Sequence, residues 1–436
     1  MRKGRKMKDD KYFWDYQLQP GMKLNNDYYK SQDAEPLVTI VTSFYNAQEF
    51  MWQTINCVFN QTFPYWEWII ADDGSTQEEA LDYLKQVEKM DNRIKVYHKE
   101  NEGLAKGRDY AIKYSNTKYI LPLDADDLIE PTYIETLYWT METNKEASWA
   151  FTNSVGFGKY IYLVDHKFNS EKMKAENQIT ATALIRKDKI LNLGGYGVAK
   201  RYVNEDWHLW LRMLAEGDYP TQVTYYGFWY RRRMQSLLTE VNDTKKKENE
   251  LRLRDLKVEA DKITKKVEPI IYPEEKTVDL LQYNELKFEK TFPKGNKETI
   301  LYILPQIGCD TILYRQIKGK SDEFNIIVIT LEQTKYSEYV YRQKYEKFAT
   351  VFNLTTFLTS KYYLGFIEYI IKTRNINEIY MAKNKYSQII QGKFKIMDNI
   401  TYRNSKFVYM LKIFEYKLSH TIIARAIRKA IRLLKS

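Results

Sequence analysis

From Pro36 onward, short apolar runs alternate with segments in which apolar residues recur at the helical spacing. This alternation constrains the fold more than any other feature. Strands that are buried on both faces and separated by helices are typical of a largely parallel sheet. We therefore predict an α/β protein. The four runs predicted to form the first strands are residues 37–42, 66–71, 94–98 and 119–123.

Polar, loop-forming residues follow each of these strands. In open α/β sheets the carboxyl ends of parallel strands share one edge, and ligands bind at that edge. We expect the four polar stretches to meet there, with Asn46 also capping the first helix. The stretches are Tyr45–Asn46, Asp72–Asp73, Asn101–Gly103 and Asp124–Asp127.

The stretch Asp124–Asp127 places three carboxylates within four positions. Such charges repel one another unless a cation lies among them. Hard oxygen ligands suit Mg²⁺ or Mn²⁺, and these ions usually serve bound phosphates. A solvated acidic turn before a helix would carry the same residues, so the neighbouring motifs decide in favour of a metal site. We expect Asp126 and Asp124 to hold the metal and Asp127 to orient the following loop.

The net charge of +11 is concentrated at the two ends of the chain. Residues 1–8 carry five basic groups, and residues 401–436 carry nine Lys and Arg against one Glu. A nucleic-acid-binding protein spreads basic residues over its folded body, whereas basic tails favour an anionic membrane surface. Residues 421–436 place apolar side chains on one helical face and basic ones on the other, which predicts peripheral membrane contact. The alternative is a helix that packs on the protein's own core.

Cysteine content and hydropathy set the remaining limits. Only Cys57 and Cys309 occur, which excludes a disulfide framework and a thiolate metal cluster. No apolar run approaches the ~20 residues that span a bilayer, and the basic N-terminus lacks the apolar core of a secretory signal. We expect a cytoplasmic protein, peripheral on the inner face of the cell membrane.

The composition also predicts how the chain is divided. We expect a basic N-terminal extension, an α/β nucleotide-binding domain, a charged helical linker, a smaller α/β domain and a basic amphipathic helix. Their predicted bounds are 1–35, 36–240, 241–297, 298–404 and 405–436. In the smaller domain, strands are predicted at 299–304, 325–330 and 378–382.

Residues 36–240 resemble a family 2 glycosyltransferase of the GT-A fold, an inverting class that uses nucleotide sugars. Five segments, in the family's order, carry the resemblance: 38–46, 72–76, Asn101–Gly103 with Arg108, 123–127 and 204–207. The Gln-x-x-Arg-Trp motif of processive polysaccharide synthases is absent from the sequence, which favours addition of a single sugar.

The resemblance implies a role for each matching position. Asp206 is expected to be the catalytic base, assisted by Glu205. Arg231 and Arg233 are expected to bind the diphosphate, and Trp207 and Gly195 the acceptor. The donor is expected to be a UDP-sugar and the acceptor a glycan or glycolipid. The residues expected to bind the nucleotide are Thr42, Phe44, Tyr45, Asn46, Asp72, Asp73, Asn101, Gly103, Arg108 and Asp124.

Two other functions fit parts of the same pattern. A nucleotidyltransferase would use the acidic edge for a nucleoside triphosphate, but it has no evident use for Glu205 and Asp206. A non-catalytic scaffold would bind a nucleotide or glycan without turnover. For residues 298–404, which the resemblance does not cover, we expect a non-catalytic domain for acceptor binding or assembly, and the alternative is a generic α/β packing module.

Overall fold

The computed structural model describes eleven stretches of the chain and divides it into two compact units. The first unit comprises Met1–Thr277 with Thr355–Thr359, and the second comprises Val278–Leu354 with Ser360–Ser436. The described residues are 14–24, 35–197, 204–234, 246–272, 283–293, 297–308, 311–332, 337–382, 389–390, 392 and 401–405.

A mixed sheet of ten strands forms the centre of the first unit, in the order β10-β9-β6-β8-β4-β1-β2-β3, with β5 on β9 and β7 on β6. The strands are β1 (Val38–Phe44), β2 (Trp66–Asp72), β3 (Ile94–His98), β4 (Tyr119–Pro122), β5 (Leu128–Ile129), β6 (Trp149–Gly158), β7 (Tyr162–Val164), β8 (Leu184–Arg186), β9 (Pro220–Arg232) and β10 (Ile270–Ile271).

The helices of this unit follow the strands in chain order. They are α1 (Gln48–Phe59), α2 (Glu78–Glu88), α3 (Leu104–Tyr114), α4 (Tyr133–Thr143), α5 (Ser170–Met173), α6 (Lys187–Asn192), α7 (Glu205–Ala215) and α8 (Lys246–Asp261). Helix α1 begins at Gln48 with Ala47 at its N-cap and no side-chain cap, so the predicted Asn46 cap is wrong.

Strand register brings the predicted ligand edge together. Strand β1 lies between β2 and β4 and is parallel to both, with Phe44 opposite Asp72. The backbone N–H of Leu123 donates to the carbonyl of Val41, which extends the alignment past the end of β4. The carboxyl ends of β1, β2 and β4 therefore open onto one edge, as the sequence predicted.

The predicted linker contributes to the core of the first unit. Leu256 and Ala260 of α8, together with Ile263 and Val267, are buried in the cluster that also contains α7 side chains such as Leu211. These four residues recur at intervals of three or four positions and form the packed face, whereas Leu251, Leu253 and Val258 are exposed. The boundary between the two units falls after Thr277.

The second unit contains a five-stranded, all-parallel sheet in the order β13-β12-β11-β14-β15. This confirms the predicted second α/β domain, and its strands at 299–304 and 325–330 have the predicted bounds. Its strands are β11 (Thr299–Leu304), β12 (Asn325–Thr330), β13 (Thr350–Asn353), β14 (Ile376–Ala382) and β15 (Thr401–Ser405). Its α-helices are α9 (Thr311–Lys320), α10 (Ser337–Glu346) and α11 (Tyr363–Thr373).

Within the described ranges, no helix is both long enough and apolar enough to cross a bilayer. The amphipathic segment 421–436, predicted to contact the membrane, lies outside the described residues. The basic residues 1–8 also lie outside them.

Candidate active site

Arg108 lies at the centre of the carboxyl edge, buried to 1% exposure on α3. Its Nη1 donates to Glu205 Oε1 at 2.5 Å and its Nη2 to Asp124 Oδ1 at 2.5 Å. The Tyr196 ring lies 5.6 Å from the guanidinium carbon. One cation therefore joins the end of β4 to the first turn of α7. Arg108 is a buried bridge, rather than a residue on the helix surface.

Burial governs the titration of the groups around this bridge. Burial disfavours the charge of Arg108, but Asp124, Tyr196 and Glu205 hold its pKa well above the ordinary value. Desolvation raises the pKa of Glu205 to about 7 and also raises the pKa of Asp206. Arg108 bonds Asp124 and Glu205, and Asp206 lies next to Glu205 in the chain, so repulsion among the three carboxylates adds to the desolvation.

Asp206 follows Glu205 in the first turn of α7. Its Oδ1 accepts from the backbone N–H of Trp207 at 2.8 Å, and its Oδ2 accepts from Asn177 Nδ2 at 3.0 Å. A carboxylate at a helix N-terminus is favoured by the helix dipole. Asn204, at the N-cap, adopts the left-handed conformation with φ 63°. The left-handed residue Asn204 leads the chain into α7, whose first residue, Glu205, is joined through Arg108 to Asp124 after β4.

Arginines from the end of β9 pair with the acidic stretch. Arg233 Nη2 lies 2.7 Å from Asp126 Oδ2. Arg231 donates its backbone N–H to Asp127 Oδ1 at 2.8 Å and its Nε to the Asp126 carbonyl at 2.7 Å. Both guanidinium groups also lie over the Phe50 ring. The Asp127 carboxylate thus anchors the end of β9 at Arg231.

Asp124 and Asp126 are partly exposed, at 29% and 24% of their side-chain surface. Each uses one carboxylate oxygen in its arginine pair. Mg²⁺ and Mn²⁺ sites often have one or two carboxylates and are completed by substrate phosphates and water. The donor set of these two residues fits such an ion. Among the described residues, no group of three or more Asp, Glu, His or Cys side chains is arranged to hold a metal by itself.

Residues 14–24 form an N-terminal strap, which is bonded to α1 through residues 21–23. Asn56 Nδ2 donates to the Gly21 carbonyl, and Gln53 Nε2 donates to Met22 Sδ. Gln53 also accepts from Arg231 Nη2 through its side-chain oxygen. Gln53 was not among the predicted site residues, because no motif marks a glutamine on a buried helix face.

Asp72 is the last residue of β2 and Asp73 follows it. Neighbouring residues of the protein already form hydrogen bonds with both carboxylates. Asp73 Oδ1 accepts from Lys99 Nζ at 2.7 Å, and its Oδ2 accepts from the Gly103 N–H at 2.7 Å. Asp72 Oδ2 lies 2.8 Å from His98 Nδ1. These bonds, with one from Asn101 Nδ2 to the Asp73 carbonyl, hold the loop that leads into α3.

The predicted nucleotide residues in β1 and directly after it divide into buried and accessible ones. Thr42 and Phe44 are fully buried, and Thr42 Oγ1 donates to the Leu123 carbonyl at 2.6 Å. Tyr45 is 48% exposed at the edge. Asn46 Oδ1 accepts from the backbone N–H groups of Thr76 and Gln77, so it fixes the β2–α2 loop.

The predicted acceptor residues lie on the α7 side of the edge. Trp207 is partly buried against the core, and its Nε1 donates to the Met173 carbonyl at 2.7 Å. Gly195 has φ 88°, and its carbonyl accepts from Arg212 Nη1 at 2.9 Å. The neighbouring Tyr196 N–H donates to Asp109 Oδ1. Gly195 and Tyr196 are therefore bonded to α7 and α3, respectively.

A model of glycosyl transferase family 2 matches residues 39–204, from β1 to the N-cap of α7. TuaG of Bacillus subtilis, whose description assigns it to teichuronic acid biosynthesis, is 30% identical over 192 residues. The match covers 42% of this chain and 74% of TuaG. The chain belongs to glycosyl transferase family 2. This confirms the resemblance drawn from the motifs, and the protein is a glycosyltransferase.

Other family 2 relatives match shorter parts. The glycosyltransferase GlyG of Streptococcus pneumoniae is 29% identical over 145 residues, which are 31% of this chain and 47% of GlyG. Among solved structures, S. aureus TarS 1–349 in complex with UDP-GlcNAc is 16% identical, with a TM-score of 0.41 over 46% of this chain and 60% of that chain. The family model ends at Asn204, so Glu205 and Asp206 lie just beyond the matched residues.

Proposed function

We propose that this family 2 protein transfers a single sugar from a nucleotide-diphosphate donor to an acceptor hydroxyl, with inversion at the anomeric carbon. A UDP-sugar is the first donor to test. The acceptor is a glycan or glycolipid of the cell surface, a class supported by the similarity to TuaG and its assignment to teichuronic acid biosynthesis.

The observation that carries this proposal is the guanidinium shared by Asp124 and Glu205. It couples the acidic end of β4, where a nucleotide diphosphate would bind, to the first turn of α7, where Asp206 lies. A transferase needs its leaving-group site and its base on opposite sides of one reacting carbon. A nucleotide-binding site alone would not require the α7 carboxylates.

In the proposed reaction, Asp206 takes the proton from the acceptor hydroxyl. The acceptor oxygen forms a bond to the anomeric carbon as the bond from that carbon to the diphosphate oxygen breaks. The diphosphate leaves with the bonding electron pair. Because the raised pKa of Asp206 makes it a stronger base than a solvated aspartate, its environment suits this task.

Asp126 and Asp124 would hold Mn²⁺ or Mg²⁺, a Lewis acid that stabilises charge on the departing diphosphate. Arg231 and Arg233 would bind the diphosphate directly, since guanidinium groups recognise phosphate oxygens in bidentate fashion. The Arg231 guanidinium is held by the Gln53 side chain and the Asp126 carbonyl, whereas that of Arg233 has its ion pair to the Asp126 carboxylate. Arg233 is therefore the arginine that can change partner when the donor binds.

Peripheral attachment to the inner face of the membrane, through residues 421–436, remains part of the proposal. It would bring the enzyme to a lipid-linked acceptor. Its support is the sequence pattern of apolar and basic faces. Deletion of residues 421–436 should lower sedimentation with anionic vesicles, and unchanged binding would contradict this part.

The test of the central proposal compares wild type with Asp206→Asn across a panel of nucleotide sugars with added Mn²⁺. We expect the variant to bind the donor normally and to lose transfer by at least about 100-fold, as expected for loss of a general base. Asp165→Asn is the matched control, because Asp165 bonds Tyr226 and lies outside the bridge. Retention of most activity in Asp206→Asn would contradict the assignment.

The same assay, with nucleoside triphosphates added to the panel, separates the alternatives. A nucleotidyltransferase would release pyrophosphate from a nucleoside triphosphate and would not need Asp206. A scaffold would bind the nucleotide sugar with no release of nucleoside diphosphate. Both outcomes differ from the metal-dependent release of nucleoside diphosphate that the proposal requires.

A further inference from the structure

The loop of residues 169–179 is bonded to the first turn of α7 at two points. Asn177 Nδ2 donates to Asp206 Oδ2 at 3.0 Å, and Trp207 Nε1 donates to the Met173 carbonyl at 2.7 Å. The two bonds involve adjacent residues of α7. The loop therefore holds the segment that carries the proposed base, rather than the helix as a whole.

The loop has internal bonds that keep its shape. Asn169 Oδ1 accepts from the Lys172 N–H and so caps α5. Gln178 Nε2 donates to the Asn169 carbonyl at 2.8 Å, and its Oε1 accepts from the Asn169 N–H at 3.1 Å. Met173 is fully buried among core side chains. Asn177 is thus presented from a fixed support.

The orientation of the Asn177 amide is determined by its two partners. Its Oδ1 accepts from the Ile179 N–H at 3.3 Å, which leaves Nδ2 as the group that faces Asp206. An amide nitrogen can only donate, and an ionised carboxylate can only accept. The contact therefore favours the charged, proton-accepting form of Asp206.

Other charges around Asp206 act in both directions. Arg108 on α3 favours the ionised form, while Asp124 at the end of β4 and Glu205 on α7 disfavour it. The charge of Asp206 in turn contributes to the raised pKa values of Tyr196 and Tyr230, for which desolvation is the largest cause. Asp124 and Glu205 both carry the same sign of charge as Asp206. The neutral amide of Asn177 can hold the Asp206 carboxylate without adding a further ion pair to this cluster.

We propose that Asn177 is a positioning residue that holds the Asp206 carboxylate in one orientation for proton transfer. The inference rests on the proposed function, in which Asp206 is the base. The backbone N–H of Trp207 binds one carboxylate oxygen and Asn177 binds the other. Loss of either bond frees the carboxylate to rotate about its χ angles. The acceptor hydroxyl then meets a base that is correctly oriented for only part of the time.

Two variants test this inference. Asn177→Ala removes the donor, and Asn177→Asp keeps the shape of the side chain but replaces the donor with an acceptor. Both should lower kcat by about 10- to 100-fold, as loss of a supporting hydrogen bond typically does, with the KM for the nucleotide sugar within about twofold of wild type. The acidic limb of the pH–rate profile should move to higher pH by about one unit, because a donor to the ionised form is lost.

Asn169→Ala is the matched control, since it loosens the same loop without removing a contact to Asp206. Tryptophan fluorescence during thermal unfolding checks that each variant is folded. An unchanged kcat and pH profile in Asn177→Asp would overturn the inference, as would an equal shift of the pH profile in Asn169→Ala. If Asp206→Asn stays active, the proposed function fails together with the inference. If only the Asn177 variants behave as wild type, the inference alone fails.

Discussion

Arg108 and Glu205 are 97 positions apart in the chain, yet the guanidinium Nη1 of one donates to the carboxylate Oε1 of the other at 2.5 Å. Both side chains are buried, at 1% and 6% exposure, and the other Nη of Arg108 binds Asp124. A buried guanidinium with two carboxylate partners is costly to disrupt, since a partner left alone must hold its charge, or take up a proton, in a region of low dielectric.

Replacing Arg108 with Met should therefore destabilise the first unit by about 3–5 kcal/mol, the range for removal of one partner of a buried ion pair. Urea unfolding followed by tryptophan fluorescence isolates this effect, because all nine tryptophans lie between residues 14 and 229. Arg186→Met is the control, because Arg186 donates to the carbonyl groups of Ala147 and Lys145. Equal midpoints for the two variants would contradict the prediction.

The pH dependence of stability should reveal the raised pKa of Glu205. The unfolded chain loses this proton near the ordinary value of 4.5, but the folded protein keeps it until about pH 7. Between those values the folded state binds more protons, so this group's contribution to stability falls as the pH rises. The loss should reach up to about 3 kcal/mol above pH 7.

Glu205→Gln provides the comparison for that measurement. The variant cannot lose a proton, so its unfolding free energy should rise relative to wild type when the pH increases from 4.5 to 7.5. Urea midpoints for both proteins at the two pH values give this difference directly. A difference that is the same at both pH values would show that the pKa of Glu205 is not raised.

Arg233 and a divalent cation would compete for the carboxylate of Asp126. Arg233→Ala should bind Mn²⁺ more tightly in the absence of donor, by about two- to fivefold, because a partly exposed ion pair is worth up to ~1 kcal/mol. The electron paramagnetic resonance signal of free Mn²⁺ measures this without any activity assay. Arg232→Ala is the control, as its guanidinium lies over the Tyr230 ring. Weaker Mn²⁺ binding by Arg233→Ala would count against metal binding at Asp126.

Gly21 tests the importance of the N-terminal strap. It has φ 78°, and an added Cβ would collide with the Gln53 carbonyl and the Cys57 sulfur. Gly217 has a comparable φ of 88° with open space around it. Gly217→Ala should therefore lower the free energy of unfolding only by the backbone strain, about 1–2 kcal/mol. Gly21→Ala should lower the free energy of unfolding by about 1–3 kcal/mol more than Gly217→Ala does, because the added methyl group overpacks the contact. Equal unfolding midpoints in urea would show that the strap does not pack on α1.

Much of the fold could be predicted from the sequence. Strands β2, β3, β11 and β12 lie within one residue of their predicted bounds, since their apolar runs are bounded by polar loops. The segment 241–297 was harder to predict, because high charge concealed the buried face of α8. Predicting Asn46 as a helix cap failed because the residue instead bonds the neighbouring loop.

The sequence by itself determined the chemistry available at the carboxyl edge. Neighbouring parallel strands have their carboxyl ends at the same edge of the sheet. The residues that follow these strands therefore lie close together, however the side chains pack. The partners of each side chain were decided only by the tertiary structure. Arg231 reaches Asp127 across 104 positions and Asn177 reaches Asp206 across 29. Local periodicity specifies the face that a residue occupies, but the distant element that packs against that face depends on the assembled core.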